Sequence, residues 1–291
     1  MNVREGDLTM FLNCIHAYMV YNEKELELMD MEVTVLASGS KGNATHIKTQ
    51  HGVFLIDAGI SYKQLILRMH QRGLSDALDG VFLTHEHSDH TKGLFQLLKQ
   101  TGIPLYAFRT TYEATSRKKR ALPDAHTHID IPGFGSMALG GLKITMVRTS
   151  HDAAHSLGFV FEENGKRLVY LTDTGFLDER HFPLLENADM YVFESNYDVS
   201  MLYESERPHH LKRRIDSVRG HLSNTDSAYY LSRLIGERTT QIVLAHPSED
   251  CNTEACALST LKEVFTSYEM DVDAYAVHVA KQHTPSPTFK L

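Results

Sequence analysis

Positive charge is what this sequence has least of: 29 Lys and Arg stand against 37 Asp and Glu, a formal net charge of -8 over 291 residues. Coating of nucleic acid without sequence preference is driven by Lys and Arg meeting phosphates, so this balance argues against that class while allowing local basic patches. Cysteine is nearly as sparse. Its three residues, Cys14, Cys251 and Cys256, give no disulfide framework and fit a reducing compartment, which places the chain in the cytoplasm. The stretch Met10 to Val20 is the one candidate targeting segment. It is too short to span a bilayer, Asn13 and His16 interrupt it, and no small-residue cleavage site follows, so no membrane association is expected. Short-period repeats and long low-complexity segments are also missing.

What is present is a core-forming composition with a 42% hydrophobic fraction, enough for one large domain or two small ones. Residues 1–30 read as an N-terminal appendage, amphipathic and helical, and residues 31–291 as the functional domain. Short β-type runs begin at Val33 to Ala37 and continue with Gly52 to Ile56, Gly80 to Thr84 and Leu105 to Phe108. Helical stretches intervene at Ser61 to Arg72 and His90 to Gln100. After Pro132-Gly133 a similar succession restarts: Leu142 to Val147, Leu157 to Glu162, Arg167 to Leu171, Met190 to Glu194 and Ile242 to Ala245, with helices at Ser223 to Ile235 and Thr253 to Phe265. Strands alternating with helices predict an α/β protein whose sheets are covered by helices.

Histidine is abundant, with 18 residues, and it is the commonest side chain for holding Zn, Mn or Fe near neutral pH. The apolar run Val81-Phe82-Leu83-Thr84 discharges directly into His85-Glu86-His87-Ser88-Asp89-His90, and a strand's end is where α/β folds place their chemistry. His85 and His87 converge from one side of the turn, while Asp89 and His90 face a neighbouring position, so the loop supplies ligands for two metals. The plainer reading is a solvated loop with Ser88 or Asp89 capping the next helix. Four metal-type ligands so close together favour the metal. A dinuclear site needs more ligands at other strand ends, and His151, Asp173 and His246 each stand where a predicted strand runs out.

The succession Leu55-Ile56-Asp57-Ala58-Gly59, Thr84 to His90, Ser150-His151-Asp152-Ala153, Thr172-Asp173-Thr174-Gly175 and Leu244-Ala245-His246 resembles the five motifs of the metallo-β-lactamase superfold. Ser38-Gly39-Ser40-Lys41-Gly42-Asn43, Glu194-Ser195-Asn196-Tyr197-Asp198 and Gly220-His221-Leu222-Ser223-Asn224 are similar to segments of the YycJ/WalJ group, whose members act as DNA exonucleases. The later motifs also resemble the tRNA 3′-processing enzymes of the superfold. The resemblance implies a four-layer αββα sandwich. It also implies one metal on His85, His87 and His151, a second on Asp89, His90 and His246, Asp173 bridging, and Asp57 orienting the His85 loop by hydrogen bonds. Two departures stand out: Pro247 to Asn252 replaces the group's usual Leu-Ser-Glu-Glu-Asn-Asn, and His155-Ser156 replaces a Glu-Pro pair.

Two divalent ions, Zn or Mn, about 3.5–4 Å apart share a hydroxide, lower its pKa and stabilise displacement at phosphorus or attack at a carbonyl. Asp89 would bind one metal and orient that hydroxide, and His221, held by Glu194, is the candidate proton donor to the leaving alkoxide. A turn-capping Glu194 and an ordinary loop His221 are the plainer readings. Ser223 and Asn224, with Arg219, are candidate donors to a substrate phosphate. The basic clusters are Arg117-Lys118-Lys119-Arg120 and Lys212-Arg213-Arg214 with Arg219. Charge runs are usually solvated faces, but the second lies just before His221, where a nucleic-acid backbone would enter. Ser38 to Asn43 reads as a tight turn near the site, Cys251 and Cys256 as core, and Asp152 and His155 as solvated. The expectation is a dinuclear phosphodiesterase, DNA favoured and exonuclease the leading activity, with an RNA-processing nuclease or a thioester or lactone hydrolase as alternatives. A regulatory protein with a structural metal is disfavoured by the complete ligand set.

Overall fold

Successive residues of a β-strand point to opposite faces of its sheet, and here both faces are apolar. In the segment Lys166–Leu171, Leu168 and Tyr170 enter one core while Val169 and Leu171 enter another. In Gly52–Ile56, Phe54 and Ile56 share the first of those cores, whereas Leu55 belongs to a third. Strands buried on both faces require a layer on each side, and three cores stacked in this way separate four layers.

The computed structural model describes residues 31–117 and 122–291. The expected appendage at residues 1–30, with Cys14, and Lys118, Lys119 and Arg120 of the first basic cluster lie outside them. Among the described residues, the first sheet contains β1 (Glu32–Ala37), β2 (Ala44–Thr49), β3 (Gly52–Ile56), β4 (Gly80–Phe82), β5 (Leu105–Ala107) and β6 (His128–Asp130). The second contains β7 (Gly135–Leu139), β8 (Leu142–Arg148), β9 (Leu157–Glu163), β10 (Lys166–Leu171), β11 (Met190–Glu194), β12 (Gln241–Ala245) and β13 (Ala276–Val279). A last strand, β14 (Phe289–Lys290), returns to pair with β1, so the sheets run β14-β1-β2-β3-β4-β5-β6 and β13-β12-β11-β10-β9-β8-β7. Each half begins antiparallel and turns parallel, from β3 to β6 and from β10 to β13.

The first sheet's helices are α1 (Tyr62–Gln71), α2 (Ser88–Thr91), α3 (Leu94–Thr101) and α4 (Arg109–Ser116); the second half contributes α5 (Phe182–Leu185), α6 (Val199–Glu204), α7 (His209–Ile215), α8 (Asn224–Leu234) and α9 (Glu254–Ser267). Leu65 and Met69 of α1 with Leu94, Leu97 and Leu98 of α3 cover the first sheet, and Leu231 of α8 with Leu261 and Phe265 of α9 cover the second. This is the expected αββα order. Phe82 sits near its centre, stacked on Tyr106 at 4.6 Å and edge-on to Phe54, Phe159 and Phe161.

Two expectations change. The single helix from His90 to Gln100 is broken between α2 and α3, because Gly93 donates its N–H to the Ala58 carbonyl, 2.7 Å away. A Cβ there would lie 2.0 Å from the Ile60 carbonyl oxygen, so only glycine permits that approach. The second half also supplies more than its own sheet, since β14, absent from the expected succession of strands, carries the C-terminus back to the first sheet.

His46 on β2 is buried, with Nε2 3.3 Å from the Ser75 carbonyl and Nδ1 without a partner. Burial lowers its pKa from 6.5 to about 4. The unfolded chain therefore takes up the proton first, so this contribution is complete above pH 6.5 and is lost as pH falls towards 4. The loss amounts to roughly 3 kcal/mol. Denaturant titrations should show a steeper decline for the wild type than for His46→Gln across that window; parallel curves would refute the assignment.

Candidate metal centre

Three strands end on residues held in the left-handed region of backbone space: Asp57 after β3 (φ 61°), Asp173 after β10 (φ 56°) and His246 after β12 (φ 57°). For residues with a Cβ this costs about 1–2 kcal/mol each, so the surrounding contacts must enforce it. One contact is a weld of three loops. Asn43 donates its N–H to the Asp89 carbonyl and Gly59 donates to the Asn43 carbonyl, both at 2.7 Å. A Cβ on Gly59 would stand 1.7 Å from the Asp89 oxygen, which is why glycine follows Asp57-Ala58.

These ends bring the predicted ligands together. His85, His87 and His151 form one group and Asp89, His90 and His246 another, the chosen ligand atoms of each lying within 4.8 Å of one another. His151 Nε2 lies 3.3 Å from His87 Nδ1. His90 Nε2 is 3.4 Å from Asp89 Oδ2, and His246 Nε2 is 3.6 Å from the same oxygen. Asp173 stands between the groups, its carboxylate oxygens 3.2 Å from His90 Nε2, 3.5 Å from His246 Nε2 and 3.9 Å from His151 Nε2. Donor atoms around a tetrahedral ion, each about 2.0–2.2 Å from it, sit about 3.3–3.6 Å apart. The spacing matches.

The imidazoles are fastened from behind. His90 Nδ1 donates to Asp57 at 2.7 Å, His151 Nδ1 donates to the Gly220 carbonyl at 3.0 Å, and His85 Nδ1 lies 3.0 Å from the Thr84 hydroxyl. Asp57 also accepts from Thr84 N, at 2.9 Å. The other face is bare: His85 Nε2, His246 Nε2 and Asp173 Oδ2 are buried without a hydrogen-bond partner. Buried polar atoms are normally satisfied, and a cation would satisfy all three. Burial, helped by the His90 charge, pushes the His85 imidazole well below its usual range, keeping it neutral and able to ligate. Burial opposes charge on His246, but Asp173, Asp89 and Glu194 outweigh it and raise the pKa to about 10. A field that favours a proton so strongly equally favours a divalent ion. The residues present thus fit a divalent-metal centre.

Glu194 ends β11 fully buried, where it ties two backbone turns and meets His221. Its Oε2 accepts from Thr174 N (2.8 Å) and Leu222 N (3.3 Å), while Oε1 accepts from His221 Nδ1 at 2.7 Å. Burial pushes this carboxyl up, but the His221 charge and hydrogen bond leave it below the usual range. His221 stacks on His246, with centroids 5.2 Å apart. It opens, with His87, Asp89 and Asp173, into a cleft of about 200 Å³.

Other site expectations are corrected. Ser223 and Asn224 do not line that cleft. The Ser223 hydroxyl caps α8, accepting from Asp226 N (3.0 Å) and donating to its carboxylate (2.6 Å), and Asn224 is tied to Ser195 and Asn252. Both are buried away from solvent, so neither offers a donor to a phosphate in the cleft. Lys212 of the basic cluster is buried, donating to the Tyr203 carbonyl at 2.6 Å. Arg214 lines the cleft and donates to Asp152 (2.6 Å), beside Arg207, which the sequence did not single out. Arg219 donates to the His151 carbonyl from beside the centre.

Three residues at the centre were missed or undervalued. Asp152 Oδ1 lies 3.5 Å from His151 Nε2, so it is more than a solvated neighbour. Asn43 Nδ2 lies 3.1 Å from His90 Nε2, and Asn196 Nδ2 lies 2.9 Å from His246 Nδ1. The signals were the Ser38 to Asn43 turn, whose Ser38 hydroxyl accepts from His246 N at 2.7 Å, and the position of Asn196 beside Glu194. His155 packs on Phe108 and donates to the Gly133 carbonyl. Cys251 is buried with Tyr197 and Leu202, as core.

Comparisons with known proteins agree with this geometry. Residues 53–246 match the family model described as a β-lactamase superfamily domain. The chain is similar to exodeoxyribonuclease YycJ of Bacillus anthracis, 33% identical over 265 residues that cover 89% of this chain and 98% of that protein. It is 35% identical over 263 residues to exodeoxyribonuclease WalJ of Streptococcus pneumoniae, with 89% and 97% covered. Among solved structures, the metallo-β-lactamase fold protein YhfI from Bacillus subtilis superimposes with a TM-score of 0.66 at 20% identity, covering 88% of this chain and 99% of that one.

Because Asp57 holds His90 by Nδ1, leaving Nε2 to face Asp89 and Asp173, Asp57→Asn should fold yet lose about 10–100-fold in metal affinity. Competition against a chelator, followed by elemental analysis, measures this; unchanged affinity would remove Asp57 from the centre.

Proposed function

The chain belongs to the β-lactamase superfamily, with the metallo-β-lactamase fold of a metal-dependent hydrolase, and from that premise we propose that it is a dinuclear phosphodiesterase acting as a DNA exonuclease. The observation that carries this reading is the Glu194–His221 pair, fixed at 2.7 Å on the rim of both ligand groups. A phosphodiester's leaving alkoxide is a strong base and needs a proton, and this pair is built to deliver one. The names of the two relatives support DNA over RNA.

His85, His87 and His151 would hold one ion, Asp89, His90 and His246 the other, with Asp173 shared between them. Bound Zn or Mn ions supply Lewis acidity, making a water acidic and offsetting negative charge on phosphoryl oxygens. Asp89, its Oδ2 within reach of both His90 and His246, orients the attacking water by accepting its proton's hydrogen bond. His221 keeps Nδ1–H on Glu194, which fixes the tautomer and directs Nε2 at the leaving oxygen when that nitrogen is protonated. Arg214 faces the same cleft and meets a non-bridging phosphate oxygen. The catalytic body is residues 31–291, and its setting is the cytoplasm. Among the described residues no helix is long and apolar enough to cross a membrane.

Metal-reconstituted protein should shorten end-labelled DNA one nucleotide at a time, and Asp89→Ala should abolish this; equal cleavage by both, or thioester turnover without DNA cleavage, overturns the proposal. His221→Ala should retain both ions and lose about 10²–10⁴-fold on DNA, while losing far less on bis(p-nitrophenyl) phosphate, whose leaving group needs no proton. Loss of an ion instead would make His221 a ligand. Removal of residues 1–30 should leave DNA turnover unchanged.

A further inference from the structure

The β8–β9 ladder ends at the pair Arg148↔Leu157 and is extended one step by Thr149 N donating to the Ser156 carbonyl at 3.1 Å. The loop that follows carries His151 into the metal centre, and next to it lies a second depression of about 250 Å³. Arg148, Arg219, Thr149 and Ser156 line it. Thr149 and Ser156 are only 5% and 3% exposed, and neither hydroxyl oxygen has a hydrogen-bond partner. Burial of an unsatisfied hydroxyl is unfavourable, and a phosphate oxygen would satisfy it. Among the described residues neither guanidinium is paired with a carboxylate; Arg219 donates to the His151 carbonyl instead. Two guanidinium groups without a carboxylate partner, lining the same depression as two unsatisfied hydroxyls, form a seat for an oxyanion.

The depression continues, through Arg148, Thr149 and His155, into a wider groove of about 500 Å³. Phe134 and Phe176 line that groove, 59% and 45% exposed. Exposed aromatics gathered in one groove mark a binding surface. The acid beside them, Asp178, is paired with Arg180 at 2.9 Å, so no free carboxylate repels an anion there. Outward from the centre the order is therefore reacting site, oxyanion seat, ring faces. This is the order of a polynucleotide strand, phosphate then base. A duplex hides its base faces, whereas a single strand offers one for every phosphate.

Resting on the phosphodiesterase reading above, we propose that this groove is the track for a single-stranded polynucleotide. The phosphate next to the scissile one lies between Arg148 and Arg219 over Thr149 and Ser156, and the following base stacks on Phe134 and Phe176. The reactive end of the substrate is accordingly single-stranded, and a strand must be unpaired for at least this length to reach the centre.

The test is binding and turnover by the full chain. Affinity for a fluorescent single-stranded DNA oligonucleotide is read by anisotropy in EDTA, where nothing is cleaved. Phe134→Ala with Phe176→Ala should weaken binding about ten-fold or more. The same variant should lower the ratio of kcat/KM on the oligonucleotide to that on bis(p-nitrophenyl) phosphate by a similar factor. Arg148→Ala should reduce the slope of log affinity against log salt by about 0.7, one phosphate contact on a single strand. Unmoved affinity and an unmoved ratio in the aromatic variant would overturn the track and leave the patch as a protein-docking surface. Phenylalanine-dependent binding by a protein that cleaves no DNA would retain the track and overturn the exonuclease reading instead.

Discussion

Asp57 accepts the Nδ1 proton of His90 at 2.7 Å and the backbone N–H of Thr84 at 2.9 Å, all within a fully buried pocket. The loop bearing His85, His87, Asp89 and His90 leaves β4 immediately after Thr84, so one carboxylate sets both where that loop departs and which nitrogen His90 presents. Burial raises the Asp57 carboxyl above its usual range, because isolation from water disfavours its charge, and the His90 charge with the hydrogen bonds from His90 and Thr84 pulls it part of the way back. Its partners make it an acceptor, and cations bound at the far side of His90 would strengthen that role by drawing electron density through the ring. Structure and a bound metal would therefore support each other through the Asp57–His90 contact.

The same device recurs in the second half. Asp173 and His246 occupy left-handed turns at strand ends as Asp57 does. Two sheets packed face to face bring these ends to one edge, and it takes both to assemble either ligand group: His151 reaches across to His87, and His246 to Asp89. The backbone strain and the unsatisfied nitrogens are destabilising in themselves. They persist because the three apolar cores are large enough to carry them, and because a bound cation would relieve the unsatisfied atoms.

The ligand set was legible because it obeys a local rule: an imidazole or carboxylate placed just after an apolar run. Strands such as β11 and β12, buried on both faces, announce themselves as continuous apolar segments. Others did not. The β2 segment Ala-Thr-His-Ile-Lys-Thr is polar in composition yet almost wholly buried: Thr49 donates to the Gly52 carbonyl, burial disfavours the charge of His46, and the Thr45 hydroxyl is left without a partner. Short edge strands such as β6, and β14, whose partners Glu32↔Lys290 and Val33↔Phe289 on β1 are 258 and 256 positions away, have no local signature. Asn43 and Asn196 were illegible for a related reason. An asparagine's role depends on what the fold puts opposite it, and His90 and His246 lie 47 and 50 positions away. The misjudged Ser223 and Asn224 show the converse: adjacency to His221 in sequence placed them at a helix cap, facing away from the cleft.

An acidic protein acting on a polyanion gains no long-range attraction from its net charge of -8, and salt screens what field remains beyond about 8 Å. Recognition must then be short-ranged. Arg207 and Arg214 at the cleft are already paired, with Asp250 and Asp152, which cancels much of their attraction at a distance while keeping their donors directed. The strongest positive charge offered to a phosphodiester would be the metal ions themselves. On the proposed reading, seating of the scissile phosphate is thereby tied to metal occupancy: without ions the cleft presents Asp89 and Asp173 to that phosphate and repels it, while contacts made further along the strand remain. The fold that strains its strand ends to gather these carboxylates has made the cations a condition of placing the scissile phosphate as well as of cleaving it.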